Sequence, residues 1–88
     1  MEAMLNFKYV ITDEVGLHAR PAGMLVKEVA KYQSGAKIIL GEKEADASKL
    51  FALMQLGIKH GDEVEVLVSG ADEVNAVEAL KQFFTENL

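Results

Sequence analysis

An α+β fold in the order β-α-β-β-α-β-α is what these 88 residues predict, and three features of the sequence predict it. Apolar residues alternate with polar ones at Phe7-Tyr9-Ile11 and again at Val64-Val66-Val68, which marks half-buried strands. After Pro21 and after Asp72 they recur instead at intervals of three and four, the spacing of amphipathic helices. Glycine-bearing turns punctuate the segments between. Elements of these two kinds bury their apolar sides as two layers. The expected architecture is therefore a four-stranded, mainly antiparallel sheet with three helices over one face.

The first strand runs through Phe7-Lys8-Tyr9-Val10-Ile11-Thr12, and Asp13-Glu14-Val15-Gly16 breaks it. The first helix is read from Pro21 to about Tyr32, with Ala22, Leu25, Val26, Val29 and Ala30 on its apolar side. Pro21 suits the first helical position, where its missing N–H costs no bond. Gly35 stands where a left-handed residue ends a helix. Lys37-Ile38-Ile39-Leu40 is the second strand, and Gly41-Glu42 turns into a short polar third strand, Lys43 to Ala45, suited to a sheet edge. Ser48 is the candidate N-cap of a brief second helix carrying Leu50, Phe51, Leu53 and Met54, which ends near Leu56-Gly57. Gly61-Asp62 leads into the fourth strand, closed by Gly70. Asp72 then caps a last helix whose buried stripe is Ala76, Val77, Leu80, Phe83 and Phe84.

No repeat, linker or low-complexity tract divides the chain, so residues 1–88 are expected to form a single domain around one core. With no cysteine, neither a disulfide framework nor a thiolate metal site can be drawn, which suits a reducing compartment. No apolar stretch approaches the length of a membrane span, and Met1 to Thr12 lacks a basic start followed by an apolar run. A soluble intracellular protein without membrane insertion is expected. Nine basic and fourteen acidic side chains give a formal charge of −5, the wrong sign for binding nucleic acid. The charge is unevenly placed: Arg20, Lys27 and Lys49 lie in the first half, Glu73, Glu78 and Glu86 in the last helix. A local basic patch on an acidic protein suits an acidic partner.

The chemistry-bearing stretch is Gly16-Leu17-His18-Ala19-Arg20-Pro21-Ala22, where strand gives way to helix. A helix start offers free N–H groups and partial positive charge, hence an anion site. Here it coincides with a nucleophilic imidazole, His18, and with the planar donor fork of Arg20, which can grip phosphoryl oxygens. Phosphoryl transfer is mostly positioning and charge stabilisation, so so small a set suffices when a partner supplies the rest. His60, in the polar turn Lys59-His60-Gly61-Asp62, reads as a surface residue. The two histidines have no ligand cluster around them, so no metal and no cofactor is expected. Neither a nucleophilic triad nor paired carboxylates nor a phosphate-cradling glycine loop is present, which places a stand-alone enzyme last among the classes.

The stretch from Gly16 to Ala22 resembles the active-site motif of the HPr family, the histidine-containing phosphocarriers of the bacterial phosphoenolpyruvate-dependent sugar phosphotransferase system. Leu53-Met54-Gln55-Leu56-Gly57-Ile58 is similar to the family's segment after its middle helix, and Ser69-Gly70-Ala71-Asp72-Glu73 to its approach to the last helix. The intervals match too. The resemblance implies an open-faced β-sandwich and a cytoplasmic monomer. It implies that His18 accepts a phosphoryl group at Nδ1 from enzyme I and passes it to a IIA protein or domain, with Arg20 beside the phosphohistidine and Ala19 and Pro21 forming the supporting helix start. The docking face it implies joins the first and middle helices, at Ala19, Arg20, Gly23, Lys27, Leu50, Phe51 and Met54, with Lys49 adding charge. Spacing leaves open whether Leu50, Phe51 and Met54 dock a partner or pack inward.

One departure stands out. In many members a serine at the start of the middle helix is phosphorylated by a dedicated kinase, and the position counted from His18 is Lys49 here. Ser48, one residue earlier, is left as the candidate phosphosite in a shifted frame. The alternatives to sugar-uptake transfer are a regulatory HPr-like interaction protein and a nitrogen-type phosphorelay carrier. Regulatory paralogues can lack the histidine and keep the serine; this chain has the reverse pattern. Gly23 is unusual as well, because glycine inside a helix costs up to about 1 kcal/mol relative to alanine.

Overall fold

A computed structural model describes residues 5–88. The elements are β1 (Leu5–Val10), α1 (Ala19–Val29), β2 (Ser34–Leu40), β3 (Lys43–Asp46), α2 (Leu50–Gln55), β4 (Glu63–Gly70) and α3 (Glu73–Asn87). All pairings in the sheet are antiparallel, in the order β1-β4-β2-β3, so the short charged β3 does form an edge. The expected order and two-layer, open-faced arrangement are what is found.

The register explains the layering. Phe7 stands opposite Val66, Val66 opposite Ile38, and Ile38 opposite Ala45, one inward row across all four strands. Val64, Val66, Val68, Ile38 and Ala45 are buried on that face. Lys8, Glu63, Lys37 and Glu44 point the other way, into solvent. Helix α3 covers the row with the stripe its periodicity predicts: Ala76, Val77, Leu80, Phe83 and Phe84 are all buried. Phe84 anchors it, meeting Phe7, Tyr9 and Phe83 edge-on at centroid distances of 5.7, 5.6 and 6.1 Å.

Four local expectations need correction. Helix α1 starts at Ala19, so Pro21 is its third residue and not its first; the missing N–H still costs nothing, since the first helical bond is Ala22 N–H to the His18 carbonyl, 3.0 Å. Gly35 does not end α1. Lys31 and Tyr32 close the helix through the Glu28 and Val29 carbonyls, and Gly35 already lies extended in β2 opposite Ser69. Ser48 is not the cap of α2: Asp46 Oδ1 accepts both its N–H (2.9 Å) and its hydroxyl (2.7 Å), and Lys49 takes the N-cap position without a side-chain bond. Asp72 does occupy the N-cap position of α3, but its carboxylate reaches back across the fold. It accepts the Ser34 hydroxyl at 2.5 Å and the Gln33 N–H at 2.9 Å, holding the start of β2 against the start of α3.

Candidate functional site

The segment between β1 and α1 is fastened at every step. Ile11 N–H donates to the Asp62 carbonyl (2.9 Å) and the Ile11 carbonyl accepts from Gly61 (2.8 Å). The N–H groups of Thr12 and Asp13 converge on the Leu88 carbonyl at 2.6 and 2.8 Å, joined by the Thr12 hydroxyl at 3.0 Å. The Asp13 carboxylate then accepts from Val15 and Gly16, turning the chain over itself. Leu17, buried, ties down through its N–H to the Ile58 carbonyl at 3.2 Å. Beyond this anchor the chain emerges as His18.

His18 is the N-cap of α1, extended at φ −95° and ψ −174°, with its ring exposed and making no capping bond. The imidazole is thus free to face a partner. Behind it the N–H groups of Ala19 and Arg20 have no acceptor among the described residues, and Pro21 contributes none. Two unsatisfied amides at the positive end of a helix suit an anion. The Arg20 side chain is exposed and has no ion-pair partner among the described residues. The arrangement can accept a phosphoryl group and neutralise its oxygens from two backbone donors and one guanidinium.

Helices α1 and α2 pack side by side, which brings the second set of sequence-identified residues to the same end of the molecule. The short α2 divides its apolar residues: Leu53 is fully buried, Leu50 half-buried, while Met54 is 41% and Phe51 79% exposed. Lys27 and Lys49 are exposed on the two helices, and open space fronts Gly23. Ser48 is exposed with its hydroxyl donated to Asp46, whose carboxyl is held below the usual carboxylate range chiefly by that bond. Met24, 42% exposed, lines the groove between α1 and α3 with Tyr32 and Phe83 and was not singled out in the sequence. Its helical position, off the Ala22-Leu25-Val29 stripe, was the signal. Val15, 66% exposed just before Gly16, gave no periodic signal because it lies in a turn. His60 lies exposed in its turn as expected, with Nδ1 3.2 Å from the Thr12 carbonyl. Among the described residues no group of three His, Cys, Asp or Glu side chains is placed to hold a metal ion, and no helix is long and apolar enough to cross a membrane.

An open-faced sheet under three helices, with one exposed histidine capping the first of them, defines the histidine-phosphocarrier class of small domains. The family model described as "PTS HPr component phosphorylation site" matches residues 5–86, and the chain belongs to this HPr family. It is 42% identical over 79 residues to the phosphocarrier protein HPr of Mycoplasma capricolum, covering 90% of this chain and 89% of that one. A solved mycoplasma histidine-containing phosphocarrier superposes with a TM-score of 0.89 at 39% identity, over 93% of each chain. The Bacillus subtilis catabolite-repression protein Crh, crystallised as a domain-swapped dimer, superposes with a TM-score of 0.76 at 32% identity, over 85% of this chain and 86% of that one.

Proposed function

We propose that this chain is a single-domain cytoplasmic phosphocarrier. It takes a phosphoryl group onto His18 from phosphorylated enzyme I and delivers it to a IIA protein or domain in sugar uptake. The observation that carries the reading is the free imidazole of His18 standing at the unsatisfied start of α1. In the forward step the Nδ1 lone pair attacks phosphorus while the ring proton stays on Nε2. The N–P bond forms as the donor's bond to phosphorus breaks. Ala19 N–H, Arg20 N–H and the Arg20 guanidinium receive the three phosphoryl oxygens, and Pro21 fixes the helix start behind them. Delivery reverses these movements onto the acceptor.

The exposure of His18 suits transfer between proteins and is a poor setting for closed-site catalysis, so the chain acts as a transfer component and not as an independent catalyst. It needs no cofactor and works as a monomer. Phe51 and Met54, flanked by Gly23, Leu50, Lys27 and Lys49, form the docking face, an apolar centre with a basic rim suited to acidic partners. The engaged hydroxyl of Ser48 and the lysine at the cap of α2 favour a carrier without serine regulation of the usual kind over a regulatory paralogue.

The test is incubation with phosphoenolpyruvate and purified enzyme I, read by intact mass. One acid-labile phosphoryl group on the native chain and none on His18→Ala is the expected result. No label on a folded native chain, with an enzyme I that charges another carrier, would overturn the reading.

A further inference from the structure

The segment that carries His18 leans on one turn of the molecule, residues 58–62. Ile58 accepts from Leu17, Gly61 donates to Ile11, and Asp62 accepts from Ile11, so the turn holds both ends of the segment through its backbone. The turn is itself braced, with Lys59 N–H donating to the Asp62 carboxylate at 2.8 Å and Asp62 N–H to the Lys59 carbonyl at 3.0 Å. Between those two ends one side chain of the turn crosses to the segment: His60, whose Nδ1 lies 3.2 Å from the carbonyl oxygen of Thr12. Thr12 lies two residues past the end of β1, its N–H and hydroxyl both already given to Leu88.

We propose that His60 is a positioning residue for His18, its Nδ1–H latching the Thr12 carbonyl and so fixing the path of Asp13 to Leu17. The inference rests on His18 being the phosphoryl acceptor. A carbonyl oxygen can only accept, so the contact requires the proton on Nδ1 and leaves Nε2 to solvent. Without the latch the segment keeps its anchors at Ile11, at Leu88 and at Leu17 but loses the one on the Thr12 carbonyl. The His18 ring, one residue beyond Leu17, then samples a wider set of poses in front of the Ala19 and Arg20 amides.

The experiment compares the full native chain with His60→Ala and His60→Asn, since the asparagine amide places an N–H donor close to where Nδ1 stands. Three readouts are taken: nitrogen-15 NMR of the His60 ring, amide exchange residue by residue, and transfer from enzyme I. The expected results are a protonated Nδ1, and exchange at Gly16 and Leu17 about fivefold faster in His60→Ala with β4 and α3 unchanged, the factor that loss of one ordinary hydrogen bond gives. Maximal transfer should fall about threefold at an unchanged half-saturating carrier concentration, because the docking face is untouched. His60→Asn should restore both. An unprotonated Nδ1, native-like exchange and transfer in His60→Ala, or acceleration spread evenly over all amides would each overturn the proposal. The ring and exchange readouts need no phosphate, so a native chain that took no label would sink the carrier reading while leaving the latch decided.

Discussion

Gly16 is pressed directly onto the backbone of Ile58: a Cβ built on it would run into the Ile58 carbonyl oxygen and lie 2.8 Å from the Lys59 Cα. Its φ of +82° is also one that residues with side chains rarely adopt. Both neighbours are main chain and cannot swing aside. Gly16→Ala is therefore expected to destabilise the fold by about 2–4 kcal/mol, combining left-handed strain with a backbone clash. Urea unfolding would measure it, and a loss below about 1 kcal/mol would show that the segment relaxes away from the turn.

Arg20 tests the site itself. Its side chain is exposed and unpaired among the described residues, so Arg20→Ala should leave the melting temperature unchanged while transfer to His18 drops about ten- to a hundredfold. Arg20→Lys should recover only part of that, a point charge replacing a fork. Equal transfer by native and Arg20→Ala chains would remove the guanidinium from the mechanism.

Phe51 tests the docking face. At 79% exposure it contributes little to the core, so Phe51→Ala should change stability by no more than about 0.5 kcal/mol. The same change should raise the half-saturating carrier concentration about tenfold, the loss of one aromatic anchor. A stability loss with normal partner affinity would assign the ring to packing instead.

Asp72 gives a dependence on pH. Its carboxyl is held below the usual carboxylate range, first by the Ser34 hydroxyl and then by the Gln33 N–H. A folded-state value below the unfolded one means that the native state holds on to the ionised form. The stability this supplies is complete above the ordinary carboxylate range and is lost as the pH falls through the depressed value. Asp72→Asn should flatten that acidic limb of the unfolding curve, with little change in its slope near neutrality. An identical limb in the variant would place the acid sensitivity elsewhere.

The strands, the helices and the stripe on α3 were legible because they depend on periodicity, which is local. The motif around His18 was legible because its residue types are chemically specific. Helix ends were read less well. Gly35 looked like a C-cap from its position, yet the carboxylate of Asp72, nearly forty residues on, holds Gln33 and Ser34, and β2 has begun at Ser34 before the chain reaches it. Ser48 looked like an N-cap, yet Asp46 two residues earlier captures its hydroxyl.

By itself the sequence determined the element order, the inward faces of the first and fourth strands and the motif that joins His18 to Arg20. All of these follow from the pattern of neighbours within a few residues. Only the tertiary structure decided that Leu53 turns inward while Phe51 stays in solvent. It alone also decided that α1 begins at Ala19, and that the segment before it is held by Ile58, Gly61, Asp62 and Leu88. Those outcomes depend on hydrogen bonds and packing between parts of the chain forty to seventy-six residues apart, where no local periodicity reaches.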